Sequence, residues 1–275
     1  MMLKRLAICL LLGAIPDTST AAGSDLTALR SRGELLGWEA VGRVSLGNGF
    51  CTGVLITRDL VLTAAHCVFD RQTGARIATQ NIRFQAGYVA GHSLADRRID
   101  RVVVDPAYRP RETGNIGTDM VPNDVALLRL ESFISSSEAD PFAVYADPEP
   151  GEKVTVLSYG RGRSEHPSWQ RSCSVLWRQG GLMSFDCDVT FGSSGAPVLV
   201  RYGNRVRILS LISATAWTKD GEKVALGMEL PAKVAELKRL MRNGALPNVQ
   251  SGAGAKRIKV GSRTTSGGAK FVTVD

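Results

Sequence analysis

Short apolar or alternating runs recur from Trp38 to Leu230, separated by Gly, Pro, Asn and Asp. Runs of about four to eight residues that are rich in β-branched side chains are typical of β-strands. They predict strands at Val41–Leu46, Thr52–Thr57, Asn81–Phe84, Ile99–Val104, Val125–Leu130, Val154–Tyr159, Ser174–Arg178, Ala196–Val200, Val206–Ser213 and Val224–Met228. Because these runs follow one another at regular spacing, the pattern predicts an all-β fold, an antiparallel sandwich or barrel.

One segment after these runs has a helical pattern instead. Pro231 suits a first helical turn, and Gly244 suits a helix end. Between them, apolar residues recur at helical spacing, at Val234, Leu237, Leu240 and Met241. The pattern predicts a C-terminal helix whose apolar side packs on the β-structure.

The N-terminus has the features of a secretory signal peptide over residues 1–22. Lys4 and Arg5 precede the short apolar run Leu6–Ile15, and small residues follow it. That run of about 10 residues is too short to span a bilayer, which needs about 20. We therefore expect a secreted protein, extracellular or periplasmic, with no transmembrane segment.

Three further ranges follow the signal. Residues 23–34 are expected to be either a pro-segment or a loose N-terminus, and residues 35–245 to form the folded domain. Residues 246–275 are rich in Gly, Ser, Lys and Arg, which predicts a flexible basic tail.

Of the five cysteines, Cys9 would leave with the signal. An even number in an exported chain predicts two disulfides. Four cysteines allow three pairings, and spacing favours Cys51–Cys67 and Cys173–Cys187 because each pair closes a short loop. No Cys-x-x-Cys pair is present, so we expect no structural zinc site and no other metal.

Charge and composition add little about the chemistry. Hydrophobic residues make up 44% of the chain and charged residues 22%, which is ordinary for a globular protein. The formal net charge of +8 favours an anionic surface or polymer as a partner, reached through the basic tail. The sequence holds no nucleic-acid-binding motif, so no specific nucleic acid is expected.

The strongest chemical signal is the segment from Cys51 to Cys67, which ends in Thr-Ala-Ala-His-Cys. His66 lies directly beside Cys67, so a disulfide there would fix the backbone that orients the imidazole. This segment resembles the histidine motif of the chymotrypsin/trypsin-like serine peptidases, nearest to the bacterial branch that includes the glutamyl endopeptidases. His92 and His166 are predicted to be surface residues in polar loops.

Two more motifs of that family follow in the same order. Asp124 opens the apolar strand of Asn-Asp-Val-Ala-Leu-Leu-Arg-Leu, and the resemblance implies a buried carboxylate that orients His66. Asp119 is a nearby competitor, but no apolar strand follows it. Gly-Ser-Ser-Gly-Ala-Pro over residues 192–197 matches the nucleophile motif, with Ser194 in the nucleophile's place.

The residues around Ser194 are arranged to stabilise an oxyanion. Gly192 and Gly195 allow a tight turn, in which the amides of Gly192 and Ser194 would form the oxyanion hole. The chain order His, Asp, Ser excludes an α/β-hydrolase, whose histidine follows its nucleophile. No histidine of this chain follows Ser194.

The resemblance implies two antiparallel β-barrels with the triad in the cleft between them, and it implies peptide-bond hydrolysis without a cofactor. The substrates would be proteins or peptides. An alternative is a catalytically silent, protease-fold binding protein that uses its basic surface and tail.

Some positions depart from the family pattern. In trypsin-like zymogens an aspartate precedes the nucleophile and pairs with a newly cut N-terminus. Here that residue is Ser193, so activation by such an ion pair is not expected.

Specificity is left open by the sequence. Asp188, six residues before Ser194, stands where trypsin-like enzymes bind Arg or Lys side chains, while Val189 and Thr215 depart from that pattern. Basic, small or apolar, and acidic side chains all remain candidates for the pocket. The resemblance also implies that Ser213 supports Asp124.

Overall fold

The computed structural model describes residues 26–110, 116–145 and 151–243. Within these ranges the chain forms fourteen strands and one α-helix. The strands are β1 Leu26–Ala28, β2 Val41–Ser45, β3 Phe50–Thr57, β4 Leu60–Thr63, β5 Arg83–Ala86, β6 Ala95–Val104, β7 Ala126–Leu130, β8 Ala143–Val144, β9 Lys153–Gly160, β10 Arg163–Gln179, β11 Leu182–Phe185, β12 Pro197–Tyr202, β13 Arg205–Trp217 and β14 Lys223–Met228, followed by helix α1 Pro231–Arg242. Each strand predicted from the sequence overlaps one of these.

The first half of the chain forms a closed antiparallel barrel in the order β2-β3-β4-β7-β6-β5. Alternate side chains of its strands point inwards, and Val44, Leu55, Phe84 and Leu128 are fully buried there. Closure leaves none of these six strands with an unpaired edge.

The second half forms a sheet in the order β1-β10-β11-β14-β13-β12-β9, with β8 paired to β13. Strand β10 also pairs with β9, so six of these strands close into a second ring. Strand β10 is long enough to serve both neighbours because it has 17 residues and irregular register. The predicted two-barrel chymotrypsin-type fold is therefore confirmed.

The apolar core between the barrels includes the C-terminal helix. Val234, Leu237 and Met241 are buried there against residues of both barrels, such as Leu127 of β7 and Leu157 of β9. The helix is predicted correctly, and it ends at Arg242. No helix within the described ranges is long and apolar enough to cross a membrane.

Both predicted disulfides are present, Cys51–Cys67 and Cys173–Cys187. Part of the range 23–34 packs on the second barrel, because β1 pairs with β10 and Leu29 is buried. The predicted signal peptide, 1–22, and the predicted tail, 246–275, both lie outside the described residues.

One prediction about a histidine is wrong. His166 lies within strand β10 and is partly buried, not in a polar loop. His92 is exposed, as expected.

Candidate active site

His66 lies in a short 3₁₀ turn, Ala65–Val68, just after strand β4. The neighbouring Cys67 is bonded to Cys51 on β3, so the disulfide anchors this turn to the first barrel. The backbone N–H of His66 donates to Asp124 Oδ1 at 2.8 Å, and its ring Nδ1 lies 2.8 Å from Asp124 Oδ2. One carboxylate therefore holds both the backbone and the ring of the histidine.

The carboxylate of Asp124 is fully buried, with 0% of its side chain exposed. It lies between the 3₁₀ turn Val121–Asn123 and strand β7. Ser213 Oγ of β13 donates a further hydrogen bond to Oδ2 at 2.5 Å. These hydrogen bonds offset the cost of burying a charge. Asp119, the competing acidic residue, is exposed.

The turn that carries Ser194 depends on two glycines. Gly192 has φ +93° and Gly195 has φ +77°, both in the left-handed region that disfavours other residues. A Cβ on Gly195 would lie 2.3 Å from both Thr52 O and Thr63 Oγ1. Only glycine fits this backbone path without displacing the first barrel.

Thr52 joins this turn to the first barrel. Its backbone N–H donates to Ser194 O at 2.9 Å, and its Oγ1 donates to Gly192 O at 2.9 Å. The hydroxyl also accepts from the N–H of Tyr159 at 3.0 Å, so it acts as both donor and acceptor. A strand of one barrel thus fixes the serine-bearing turn of the other.

A cavity of about 390 Å³ opens beside Ser194, and His66 and Ser194 both line it. The other lining residues are Arg71, Ile116, Val189, Thr190, Phe191, Ile212, Ser213, Ala214, Thr215 and Lys223. The structure therefore brings the three candidate triad residues to one place, with the Asp124 carboxylate behind His66.

Three of the four candidate pocket residues, Val189, Ser213 and Thr215, line this cavity, but Asp188 does not. The carboxylate of Asp188 is 43% exposed and lies 3.4 Å from Lys223 Nζ. Lys223 is on β14, and its ammonium also donates to Val189 O at 2.5 Å. Among the described residues that line the cavity, the charged side chains are therefore cations, Lys223 and Arg71, while the nearby carboxylate of Asp188 is already paired.

The rim of the cavity carries an aromatic ring between two cations. Phe191 is 52% exposed. The guanidinium carbons of Arg71 and Arg161 lie 5.1 Å and 4.2 Å from its ring centre. Sequence reasoning did not find Arg71, Arg161 or Lys223, because no motif surrounds them and they come from separate elements.

Ser193, which precedes the candidate nucleophile, is fully buried. Its hydroxyl lies 3.2 Å from Arg163 Nη2, 3.2 Å from Ser158 Oγ and 3.3 Å from Tyr159 O. The backbone N–H of Thr190 also donates to it at 3.3 Å. Where trypsin-like zymogens carry an aspartate, this chain has a neutral hydroxyl that faces a guanidinium.

Burial raises the pKa of three tyrosines in the first and second barrels. The negative charge of Asp124 adds to the effect on Tyr108, and Glu165 adds to it on Tyr88, whose hydroxyl donates to that carboxylate at 2.8 Å. Tyr159 is fully buried, and its hydroxyl donates to Tyr88 O at 2.9 Å. All three phenols are held in the neutral form.

Potential metal ligands cluster twice in the described part of the chain, around Cys51 with His66 and around Cys173 with Asp186. In each cluster the two cysteines are joined in a disulfide. Disulfide sulfurs are not thiolates, so neither cluster has the donor set of a zinc site.

The chain is similar in sequence to known proteins. A model of the trypsin family matches residues 31–201. Serine protease 23 of Bos taurus is 29% identical over 201 residues, covering 63% of this chain and 51% of that protein. Trypsin epsilon of Drosophila erecta is 28% identical over 122 residues, covering 43% of this chain and 41% of that protein. The matched region spans about half the length of these relatives.

Solved structures show the same fold. A Glu endopeptidase in complex with MPD has a TM-score of 0.64 at 18% identity, covering 81% of this chain and 98% of that chain. Protease Anisep from Arthrobacter nicotinovorans has a TM-score of 0.56 at 16% identity, covering 72% of this chain and 93% of that chain. The predicted resemblance to chymotrypsin/trypsin-like proteins and to their bacterial branch is confirmed at the level of the fold.

Proposed function

Because this chain belongs to the trypsin family, we propose that it is a secreted serine endopeptidase that cleaves peptide bonds with His66, Asp124 and Ser194. The observation that carries the proposal is the 2.8 Å contact between the buried Asp124 carboxylate and His66 Nδ1, beside a cavity that Ser194 shares. A surface histidine with no chemical role would not require a fully buried carboxylate as its hydrogen-bond partner.

Asp124 sets the state of the imidazole in this mechanism. A carboxylate accepts hydrogen bonds, so His66 Nδ1 carries the proton and Nε2 is left with a free lone pair. Nε2 can then accept the hydroxyl proton of Ser194. When the ring becomes an imidazolium, the buried negative charge behind it stabilises the new positive charge.

The reaction proceeds in two halves. Ser194 Oγ attacks the peptide carbonyl carbon while its proton passes to His66, and the amides of Gly192 and Ser194 stabilise the oxyanion. The tetrahedral intermediate collapses, the C–N bond breaks, and His66 gives its proton to the leaving amine. Water then attacks the acyl-enzyme by the same route and releases the carboxylic acid.

The two disulfides support export, because disulfides persist in oxidising compartments outside the cytosol. The signal-like residues 1–22 point the same way.

The cavity favours acidic or neutral side chains over basic ones. Lys223 and Arg71 line it, and Asp188, the candidate partner of a basic side chain, is paired with Lys223. A substrate lysine or arginine would meet two like charges there, whereas a glutamate would meet Lys223 Nζ. The Glu endopeptidase among the structural neighbours is named for cleavage of this kind.

The specificity is tested with a peptide library and the variant Lys223→Met. We expect the unaltered protein to prefer acidic over basic side chains before the cut. The variant should lose about tenfold in kcat/KM on acidic substrates, since a partly exposed charged hydrogen bond contributes about 1.4 kcal/mol. Lys219→Met removes an exposed charge outside the cavity lining and serves as the control. Preferred cleavage after lysine or arginine would contradict this assignment.

The activity itself is tested by labelling with a fluorophosphonate probe. Folded, disulfide-intact protein should be labelled at Ser194, identified by mass spectrometry, and Ser194→Ala should not be labelled at all. A labelled Ser194 supports an activated nucleophile, because an ordinary serine reacts very slowly with such probes. Absence of labelling would favour the alternative, a silent protease-fold binding protein.

A further inference from the structure

The side chain of Arg163 folds back over the hairpin between β9 and β10. Arg163 is paired with Gly160 in the register of these strands. A Cβ placed on Gly160 would lie 2.8–2.9 Å from the guanidinium atoms of Arg163. The guanidinium therefore lies flat on a glycine, in a space that no larger residue would leave open.

Within the described residues, every hydrogen bond from this guanidinium goes to a neutral oxygen. Nη1 donates to Ser158 O, and Nη2 donates to Ser158 Oγ at 2.9 Å and to Ser193 Oγ at 3.2 Å. Ser158 and Ser193 are 1% and 0% exposed. Among the residues that the structure describes, no carboxylate lies within ion-pair distance of Arg163.

Arg163 keeps its positive charge although its guanidinium is largely removed from water. Burial lowers the pKa of the guanidinium, and the negative charge of Asp188 partly opposes this change. Arginine remains protonated even so, because its intrinsic pKa is far above neutral. A partly buried cation without a directly bonded counter-charge costs stability, so stability alone does not account for it.

Ser193 connects this cation to the serine-bearing turn. Its Oγ accepts from Arg163 Nη2 and from the Thr190 N–H, which occupies both lone pairs. Its own proton is then left for Ser158 Oγ or Tyr159 O. Its backbone N–H donates to Thr190 O at 2.9 Å, which closes the turn. The residue between Gly192 and Ser194 is thus held from several sides.

We propose that Arg163 is a positioning residue that holds Ser193 and, through it, the oxyanion-binding amides of Gly192 and Ser194. This rests on the proposed peptidase activity. The cation also favours electrostatically the negative charge that develops on the substrate oxygen. In this arrangement the guanidinium of Arg163 lies next to the turn that contains Gly192 and Ser194.

The test compares Arg163→Met with Arg163→Lys and with Arg205→Met. Arg205 lies exposed at the start of β13, away from the cavity lining, and controls for the loss of one positive charge. We expect Arg163→Met to lower kcat by about tenfold to about a hundredfold, less than the loss of an oxyanion-hole donor, with KM changed less than about threefold. Arg163→Lys keeps the charge but not the paired donors and should fall between.

Inhibitor binding separates positioning from a general loss of structure. A peptide boronic acid forms a tetrahedral adduct on Ser194, and its affinity should fall by the same factor as kcat. A non-covalent peptide inhibitor should bind all variants alike. Added methylguanidinium should restore part of the activity of Arg163→Ala, which a merely unstable variant would not show.

One readout does not depend on activity. Hydrogen exchange of the amides in residues 190–196 should be faster in Arg163→Met than in Arg205→Met, at temperatures where both are folded. Equal kcat and equal exchange in these two variants would overturn the proposal. Failure of fluorophosphonate to label Ser194 in the unaltered protein would instead refute the peptidase activity, and the exchange comparison would still decide the role of Arg163.

Discussion

The replacement Ser213→Ala removes one of the hydrogen bonds that hold the buried carboxylate of Asp124. Oδ2 accepts from Ser213 Oγ at 2.5 Å and from His66 Nδ1 at 2.8 Å, and Oδ1 accepts from the His66 N–H at 2.8 Å. A hydrogen bond to a charged group contributes about 1.5–3 kcal/mol. We expect the free energy of unfolding to fall by about this amount.

The effect on catalysis should be smaller but specific. Without the Ser213 hydroxyl, Asp124 Oδ2 loses a donor that fixes the orientation of the carboxylate. The His66 ring, which this carboxylate holds, then becomes less well oriented. A loss of about 0.7–1.4 kcal/mol in transition-state stabilisation corresponds to about threefold to tenfold in kcat/KM. KM should change little, since the hydroxyl is turned towards Asp124.

Ser210→Ala is the matched control, because Ser210 is a buried serine of the same strand. Its hydroxyl donates to Met228 O at 2.8 Å and accepts from Met228 N at 2.9 Å, so it serves only neutral groups. This variant should lose stability and keep its kcat/KM. Denaturant unfolding and steady-state kinetics on one peptide substrate measure both quantities.

The outcome that would refute the reasoning is equal kcat/KM in the two variants. The hydroxyl of Ser213 would then stabilise the fold without orienting the triad. A kinetic loss confined to Ser213→Ala would support its link to Asp124.

Two further predictions concern the turn and the buried phenols. Gly195→Ala should abolish activity and destabilise the fold by more than about 3 kcal/mol, because its Cβ would lie 2.3 Å from two oxygen atoms of β3 and β4 at φ +77°. Gly203→Ala, at φ +59° with open space around it, should cost only about 1–2 kcal/mol in chemical unfolding; equal losses would contradict the argument. Tyr88, Tyr108 and Tyr159 should remain protonated in folded protein above about pH 10, where tyrosines of the unfolded chain ionise. Because their pKa values are raised on folding, their contribution to stability is complete below about pH 10 and is lost as the pH rises further. An ultraviolet absorbance titration in which these phenols ionised at the unfolded-chain midpoint would refute it.

Much of the architecture could be predicted from local sequence. Alternating runs placed the strands, and the short spacing between cysteines predicted both disulfides. Asp124 could be distinguished from Asp119 because an apolar strand follows it at once. These signals are local, so they need no knowledge of which strands become neighbours.

The groups that surround the cavity could not be predicted in this way. Lys223 reaches Asp188 only because β14 pairs with β11, the strand that leads into Asp188. Arg163 reaches Ser193 only because its side chain folds back over Gly160. His166 is predicted to lie in a polar loop, whereas it lies in β10, at an irregular part of the register with β9.

The two contacts that Thr52 makes with the serine-bearing turn also bear on the order in which function arises. Strand β3 belongs to the first half of the chain, and residues 192–194 belong to the second. A nascent chain that has folded only its first barrel has His66 and Asp124 in place but no nucleophile. The second half alone would have a serine turn without the strand that fixes it. Assembly of the proposed triad therefore waits for the whole domain, so the proposed peptidase activity would arise only after both halves have been synthesised and folded.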